Sequence, residues 1–561
     1  MKQRKYFFMA LLLVLAIVAT ACPKTEDPGP EPTKTAAEEG KPGGTLVFAA
    51  EQYPKCLNFV TSCRSASWLH YTALLPTMAR FLTADADNNY KATDLITKIP
   101  TLENGLVTES PFTVTYELNP KAKWDDNTPI TGEDVKFTWQ AILTSSKSVI
   151  KIGYDKIEDV TTEGNKVKIA FKEPYAPWRD LFNMTHYILK ADAFAGKPDV
   201  SDAMQTSIGF AGGPFKLESF SESEMVLVRN DNYYGKKAFL DKVIFKKIES
   251  QTSELTTFKT GEIQGFFPQP TTELVEQVKA IPGGEIGVKP GTVYEGLWFN
   301  LDKFPVNDKA VRTALLYGLD RQKAIDTIVK PVDPKATVNH CLWNVPQNAG
   351  GKWCNKDFPT KPDTAKATKA LEDGGWKKGS DGIYAKGGQR LVVPIATTAG
   401  NVGREQFQTI LQAQAKEIGI EIKADNSDAT TLFQTRLPAR DFVVGMFAQV
   451  ASPDPTVTTN LHKDLIPSKD APDGENYYGW KNDEASKLMR DSDKEVDDKE
   501  RIKQFQEMGK LMAEDVMSIP LYAKPQILVY NSEKLGGDFN FNAGQLAFSD
   551  LLRTWYFKKA A

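Results

Sequence analysis

Residues 112–137 read FTVTYELNPKAKWDDNTPITGEDVKF and place a strand, a turn and a helix start in succession. Residues 112–118 alternate between apolar and polar side chains, which is the period of a half-buried strand. Thr131 is an N-cap candidate and Asp134 stands three residues later, so the sequence predicts that a helix begins at Gly132. A strand followed closely by a capped helix indicates mixed secondary structure in this part of the chain.

The same two patterns recur in both directions from this stretch. The predicted strands are 43–49, 112–118, 167–171, 225–229, 243–248, 420–422, 520–522 and 527–530. The further predicted helices are 308–329, 404–418 and one or two within 484–512. Strands and helices mix throughout, so the sequence predicts the α/β class with several sheets.

Composition bounds the kind of protein. The chain has 561 residues, enough for three or four structural units or one multi-lobed body. Hydrophobic residues make up 41% and charged residues 25%, which argues against a collagen, a coiled coil or a disordered chain. Lys and Arg number 69 against 72 Asp and Glu, so we expect no nucleic-acid partner. No apolar run reaches the roughly 18–20 residues that a bilayer-spanning helix needs.

The N-terminus has the layout of an export signal. Basic residues at Lys2, Arg4 and Lys5 precede the apolar run 6–18, and Ala19-Thr20-Ala21 precedes Cys22. We predict a signal peptide at 1–21 and a lipid on the Cys22 thiol, because this arrangement resembles the lipobox of bacterial lipoproteins. The alternative is an ordinary signal peptide with a chance cysteine. Residues 22–40 are rich in Pro, Glu, Thr and Lys, and are predicted to form a flexible linker.

Four further cysteines form two close pairs in the sequence, Cys56 with Cys63 and Cys341 with Cys354. An even number in an exported chain favours disulfides, and local pairing is the simplest of three possible connectivities. A zinc site that uses the neighbouring His340 is the alternative. The spacing within each cysteine pair does not fit a zinc motif, so we predict disulfides and no metal site.

No pattern of catalytic residues emerges from the sequence. The four histidines are far apart, and no nucleophile elbow, phosphate loop or dinucleotide fingerprint is present. The paired acids Asp125-Asp126 and Asp497-Asp498 have the character of solvated surface pairs. The sequence therefore predicts no catalytic residues and no cofactor.

Seven blocks in order resemble the peptide/nickel-type, or family 5, extracellular solute-binding proteins of ABC importers. The family usually has Gly where this chain has Asn127, and commonly Ala where it has Gly132. The similar blocks are 118–137, 212–217, 229–234, 258–263, 299–300 with 311–321, 371–376 and 518–521. Together they extend the resemblance from about Gly43 to the C-terminus.

The resemblance implies a two-lobed periplasmic-binding-protein-like fold (type II, cluster C-like) with an extra domain inserted in lobe 1. It implies that lobe 1 consists of 41–80, 196–295 and 525–561, the inserted domain of 81–195, and lobe 2 of 296–524, and these names are used for those ranges below. The implied function is capture of a peptide or related small solute between the lobes. The implied partners are ABC permease subunits with their ATPases, and the implied form is a monomer held by its lipid on the extracytoplasmic face of the cell membrane.

Candidate ligand-binding residues follow from the segments that the resemblance places at the cleft. They are Tyr53, Trp68, Phe210, Trp298, Asn300, Arg404, Phe447 and Asp454. In peptide-binding members of the family, an Asp three residues before an Asp-Pro or Glu-Pro pair holds the peptide's amino terminus. Alignment on Asp454-Pro455 places Ala451 at that position, which weakens the peptide interpretation unless Asp454 substitutes. A neutral or differently charged solute is the alternative.

Two other functions remain open from the sequence. A lipid-anchored sensor or chaperone would use the same fold without transport. An exported hydrolase would need a pair of acids that nothing in the sequence singles out.

Overall fold

A computed structural model describes residues 40–65, 68–149, 151–183, 186–248, 250–343, 351–429, 431–468, 474–542 and 547–558. The predicted signal peptide and the predicted linker up to residue 39, including Cys22, lie outside the described residues. Residues 40–561 belong to one compact unit. Among the described residues, no helix combines the length and apolarity that crossing a membrane requires.

The strands are named in chain order. They are β1 (Thr45–Ala50), β2 (Leu82–Ala84), β3 (Tyr90–Ala92), β4 (Val107–Glu109), β5 (Phe112–Glu117), β6 (Ile157–Glu163), β7 (Lys166–Phe171), β8 (Phe215–Phe220), β9 (Glu224–Arg229), β10 (Lys242–Lys247), β11 (Gly265–Phe266), β12 (Gly284–Phe299), β13 (Lys377–Lys378), β14 (Tyr384–Lys386), β15 (Gln389–Arg390), β16 (Val392–Ala396), β17 (Glu421–Ala424), β18 (Val444–Val450), β19 (Ser518–Asn531), β20 (Leu535–Gly536) and β21 (Tyr556–Phe557).

The helices are named in the same way. They are α1 (Trp68–Leu74), α2 (Gly132–Thr144), α3 (Gln251–Thr260), α4 (Thr272–Lys279), α5 (Lys309–Gly318), α6 (Arg321–Ile328), α7 (Thr364–Asp373), α8 (Val402–Glu417), α9 (Thr458–Leu461), α10 (Asp483–Lys494) and α11 (Asp498–Asp515).

One ten-stranded sheet runs through both lobes in the order β17-β16-β18-β12-β19-β11-β1-β10-β9-β8. The long strands β12 and β19 lie at its centre, pair antiparallel, and each continues from one lobe into the other. The pairing is interrupted by register shifts between Pro290 and Tyr294 and between Glu295 and Gly296, where the lobes meet. We call β12 and β19 the crossing strands, because both lobes share them.

Two large hydrophobic cores lie on either side of this crossing. The first contains side chains from 46–267 and 528–555, and the second contains side chains from 294–522. Because each core closes over its own part of the sheet, the two-lobed α/β prediction is confirmed.

The inserted domain carries a separate four-stranded sheet, β4-β5-β7-β6, and helix α2. The predicted start of α2 is confirmed: Thr131 is the N-cap, and its backbone N–H donates to Asp134 Oδ2 at 2.9 Å. This capping box satisfies backbone donors that would otherwise be unpaired at the helix start.

Two sequence predictions differ from the structure. The helix predicted over 308–329 is two helices, α5 and α6, because Asp320 accepts a hydrogen bond from the Lys323 N–H and begins a new helix. The strands predicted at 520–522 and 527–530 are one strand, β19. Its Pro525 stands opposite Pro290 in the register, so neither proline removes a hydrogen bond from a non-proline partner there.

The predicted cysteine pairings are confirmed. Cys56 bonds to Cys63 with a Cα–Cα distance of 5.4 Å, and Cys341 bonds to Cys354 with a Cα–Cα distance of 5.7 Å. Both distances lie in the range usual for disulfides.

Candidate functional site

A cleft lies between lobe 1 and lobe 2 beside the crossing strands. Its wide part has a volume of about 780 Å³ and is lined by α3 and α4 of lobe 1 and by the end of α6 and the start of α8 of lobe 2. An inner pocket of about 70 Å³ continues from it to the crossing strands. The wide part falls within the usual volume of small-molecule sites. The residues that line both parts are Gln251, Pro270, Thr271, Ile328, Val402 and Gly403.

A buried ion pair forms one side of the inner pocket. Arg404 Nη2 donates to Glu295 Oε1 at 2.8 Å, and Arg404 Nε donates to both carboxylate oxygens at 3.1 and 3.2 Å. Arg404 Nη1 also donates to Thr398 Oγ1 at 3.0 Å. The Asn401 side chain caps α8 by accepting from the Arg404 N–H, which places the guanidinium one turn into the helix and over the sheet. The pair is thus electrically neutral, and both oxygens of the Glu295 carboxylate accept hydrogen bonds from Arg404.

A series of hydrogen-bonded polar side chains, the polar chain, begins at Lys524 on the other crossing strand, β19. Lys524 Nζ donates to Gln269 Oε1 at 2.6 Å, and Gln269 Nε2 donates to Glu51 Oε1 at 3.3 Å. Trp68 Nε1 donates to the other oxygen of Glu51 at 3.0 Å. Burial, with the positive charge of Arg404 beside it, lowers the pKa of Lys524 to about 8. Burial also raises the pKa of Glu51, against the effect of its hydrogen bonds.

The register of the sheet brings these groups to one face. Glu295 is the direct partner of Tyr522, so both side chains share a face, and Lys524 follows Tyr522 by two residues on the same strand. Glu295, Arg404, Tyr522, Lys524 and Gln269 all line the inner pocket. The pocket therefore combines one neutral ion pair with one further ammonium group.

Three of the predicted ligand residues hold lobe 2 together. Trp298 and Phe447 pack at 5.9 Å between ring centroids, and Trp298 Nε1 donates to the Phe447 carbonyl at 2.8 Å. Asn300 donates to the Arg440 carbonyl at 2.9 Å. All three side chains are buried in this structure. A ligand contact for them stays a prediction.

The predicted residues of lobe 1 are spread over several places. Trp68 lies at the start of α1 and reaches Glu51, so it is close to the inner pocket. Tyr53 stacks on Phe220 at 5.7 Å. Phe210 packs edge-on against Trp124 at 5.5 Å, within the core that lobe 1 shares with the inserted domain. Of the eight predicted residues, Arg404 lines the inner pocket directly and Trp68 lies one hydrogen bond from its polar chain.

Asp454 is engaged by two arginines. Its carboxylate pairs with Arg501 and accepts a hydrogen bond from Arg179 Nη1 of the inserted domain at 3.3 Å. Ala451, at the place of the family's amine-binding acid, is buried and donates its N–H to the Thr292 carbonyl at 2.9 Å. The negative charge of Asp454 is thus already compensated by Arg501 and Arg179. Ala451 itself has no carboxylate that could bind a peptide amino group.

A second contact joins the inserted domain to lobe 2 beside Asp454. Ser452 Oγ donates to Asp180 at 2.9 and 3.1 Å, and the Tyr90 hydroxyl donates to the same carboxyl group. Burial, together with the negative charge of Asp454, raises the pKa of Asp180 to about 7. We call Asp180, Ser452 and the Arg179–Asp454 pair the clasp.

The sequence argument missed Glu295, Lys524, Gln269 and Glu51. Lys524 had a usable signal, since it is the one charge within the long apolar strand β19, and so had Glu295, the one charge in the buried second half of β12. A charge in a strand buried on both faces costs free energy unless it is paired or faces a site. Gln269 and Glu51 had no comparable signal.

Within the described residues, one group of three potential metal-ligating side chains comes together, His340 with Cys341 and Cys354. Both sulfurs belong to the disulfide, and a metal binds the thiolate form. The structure therefore favours the disulfide over the zinc alternative.

Comparison with known proteins gives consistent results. A sequence profile described as "Bacterial extracellular solute-binding proteins, family 5 Middle" matches residues 101–464, more than half of the chain. The oligopeptide-binding protein AppA of Bacillus subtilis (strain 168) is 26% identical over 535 residues, which cover 92% of this chain and 93% of that protein.

Solved structures share the fold. The AppA structure from Bacillus subtilis in complex with a nonapeptide gives a TM-score of 0.77 at 23% identity, covering 93% of this chain and 100% of that one. The periplasmic EDTA-binding protein EppA gives 0.81 at 21% identity, covering 93% and 98%. Both likenesses concern the fold alone, since the identities are low.

Proposed function

The chain belongs to the family 5 bacterial extracellular solute-binding proteins, and on that premise we propose that it captures an oligopeptide between its lobes and delivers it to the permease of an ABC importer. The observation that carries the proposal is the cleft of about 780 Å³ lined by both lobes beside the crossing strands. The relative at 26% identity is named an oligopeptide-binding protein. Structures of this fold include one in complex with a nonapeptide and one named for EDTA, so the fold alone does not specify the solute.

The chain's part in transport is binding, without bond-making chemistry. Lobes that close about β12 and β19 exclude water from the inner pocket, which strengthens each hydrogen bond to the solute. The clasp between the inserted domain and lobe 2 supports the closed arrangement, because it joins segments that belong to different parts of the fold. A permease then recognises the closed surface, and its partner ATPases supply the energy.

The lipid anchor and the domain ranges form part of the same proposal. Cys22 after the apolar run supports a lipidated mature N-terminus, and residues 22–40 supply a tether to the extracytoplasmic face of the membrane. The ranges given above for lobe 1, the inserted domain and lobe 2 are supported by the positions of the two cores and the crossing strands. We propose a monomer in this setting.

The cleft can be tested by blocking it. Gly403 lies in the first turn of α8 and lines both parts of the cleft, and an added Cβ there would meet no atom closer than Asn401 Oδ1 at 3.8 Å. The change Gly403→Phe is therefore expected to obstruct the junction between the inner pocket and the wide part without disturbing the fold. Gly209 is an exposed glycine outside the cleft with nothing within 4 Å of an added Cβ, so Gly209→Phe is the matched control.

The measurement is native mass spectrometry on protein purified from its host and again after reloading with a mixed di- to pentapeptide pool. We expect peptide adducts on the wild type and on Gly209→Phe, and their loss on Gly403→Phe. Peptide adducts that survive Gly403→Phe would place the binding site elsewhere. Turnover of the peptides, with hydrolysis products appearing, would favour the exported hydrolase. Unimpaired import in cells that carry Gly403→Phe would favour a sensor or chaperone.

A further inference from the structure

Lys524 has an unusual place in the inner pocket. It stands between Ala523 and Pro525 in the central strand β19, and within the described part of the chain its ammonium group makes one hydrogen bond, to the neutral amide of Gln269. It forms no ion pair with the described residues. An ammonium carries three donors, so two of them remain for a molecule in the pocket.

The neighbouring charges do not neutralise it. Glu295 is committed to the Arg404 guanidinium by three hydrogen bonds. Glu51 stands behind Gln269, where both of its carboxylate oxygens accept hydrogen bonds from other side chains. Among the ionisable side chains that line the inner pocket, Glu295, Arg404 and Lys524 together carry one positive charge when Lys524 is protonated, and Glu51 is not among the lining residues.

The wide part of the cleft does not reverse this balance. Among its described lining residues the ionisable groups are Lys259 and Glu273, both exposed at the surface, and Glu273 accepts a hydrogen bond from Gln277. An ammonium group on the solute thus meets no unpaired carboxylate in the inner pocket. Asp454 is already held by two arginines.

We propose that Lys524 binds a carboxylate of the solute, so that the cleft selects a peptide by its carboxyl end and does not require a free amino terminus. This inference rests on the proposed function and specifies its ligand class. A desolvated ammonium and a carboxylate form a charge-assisted hydrogen bond, which is stronger than one between neutral groups. Loss of such a bond is expected to weaken binding about 10- to 150-fold.

Three matched peptide pools test the proposal on full-length protein in detergent after its bound ligand has been removed. The first pool holds tri- to pentapeptides with both termini free, the second holds the same peptides N-acetylated, and the third holds them C-amidated. Retention is measured for each pool by equilibrium dialysis and mass spectrometry. We expect the free and acetylated pools to bind alike, and the amidated pool to bind about 10- to 150-fold more weakly.

Variants assign the effect to the residue. Lys524→Met should reduce the retention of the free and acetylated pools to that of the amidated pool. Lys524→Arg should keep the preference for peptides with a free carboxylate. Lys279→Met removes an exposed lysine at the end of α4, outside the residues that line the cleft, and is expected to change neither. A melting curve for each variant checks that it is folded.

The possible outcomes distinguish a failure of the carboxylate proposal from a failure of the proposed peptide binding. Equal retention of amidated and free peptides by the wild type would overturn the carboxylate proposal and leave peptide binding intact. A carboxylate preference that survives Lys524→Met would overturn the assignment to Lys524. A requirement for a free amino terminus would also contradict it. Failure of the wild type to retain any pool would overturn the proposed peptide function, and this inference with it.

Discussion

Glu254 is a buried carboxyl group whose pH behaviour can be worked out from its surroundings. It lies in the first turn of α3, is fully buried, and neither of its oxygens has a hydrogen-bond partner among the described residues. Burial, with the nearby negative charge of Glu51, raises the pKa of Glu254 from 4.5 to about 9. The side chain is therefore protonated in the folded protein at neutral pH.

The sign of the effect follows from proton linkage. Between pH 4.5 and 9 the folded state holds a proton on Glu254 that the unfolded chain releases, so the free energy of unfolding falls as the pH rises through this window. The slope for one group is about 1.4 kcal/mol per pH unit. From pH 5 to pH 8 the loss from this residue alone is about 4 kcal/mol, an order-of-magnitude figure.

The change Glu254→Gln removes the titration while it keeps the shape of the side chain. We measure thermal unfolding by circular dichroism. The melting temperature of the variant, relative to that of the wild type, is expected to rise by several degrees from pH 5 to pH 8. Glu276→Gln is the matched control, because Glu276 is exposed on the adjacent helix α4. It should follow the wild type at every pH.

Parallel curves for the wild type and Glu254→Gln across this range would refute the reasoning. They would mean that Glu254 is ionised in the folded state, by way of a partner or a path to solvent. Glu254 would then add a negative charge beside Glu51, and this charge would oppose the positive charge that Lys524 gives to the lining of the inner pocket.

Three further predictions concern the clasp, the disulfide and the anchor. The raised pKa of Asp180, about 7 against 3.8, means that the stability it contributes is lost as the pH rises from about 4 through 7. Hydrogen-exchange protection in residues 176–180, measured relative to the intrinsic exchange rate at each pH, should therefore fall from pH 6 to pH 8 in the wild type and less so in Asp180→Asn, and an equal fall in both would contradict this. Replacing Cys341 and Cys354 with serine should cost about 3 kcal/mol of unfolding free energy by the loop-entropy argument, read as a lower melting temperature, and an unchanged melting temperature would show that the bridge adds nothing. Cys22→Ala should move the protein from the membrane fraction to the soluble fraction, and unchanged retention on the membrane would count against lipidation.

Local features of the fold were readable from the sequence because they depend on neighbours in the chain. The capping pair Thr131 and Asp134, the strand that precedes it, the alternation in β7 and the short apolar run in β9 all follow from residues that are close in the chain. The two disulfides were readable for the same reason, since each joins cysteines 7 or 13 residues apart. The break at Asp320 was missed because apolar periodicity continues across it while the capping side chain begins a new helix.

The site was much less accessible to sequence reasoning. Arg404 was named, but its function there depends on Glu295, which lies 109 residues away in the chain. Asp454 was named as a substitute for the missing acid, yet Arg179 of the inserted domain, 275 residues away, already holds its carboxylate. A pattern in the sequence identifies a charged residue without saying which opposite charge will reach it.

The sequence by itself determined the α/β class, the local cysteine pairing and, through its ordered blocks, the family. Only the tertiary structure decided that Lys524 forms a hydrogen bond with Gln269, 255 residues away in the chain. It also decided that Glu295 forms an ion pair with Arg404. The physical reason is that strand register and lobe packing select the pairs of charges that lose their water together. The balance of charge left in the cleft is therefore a property of the assembled sheet, and no single segment contains it.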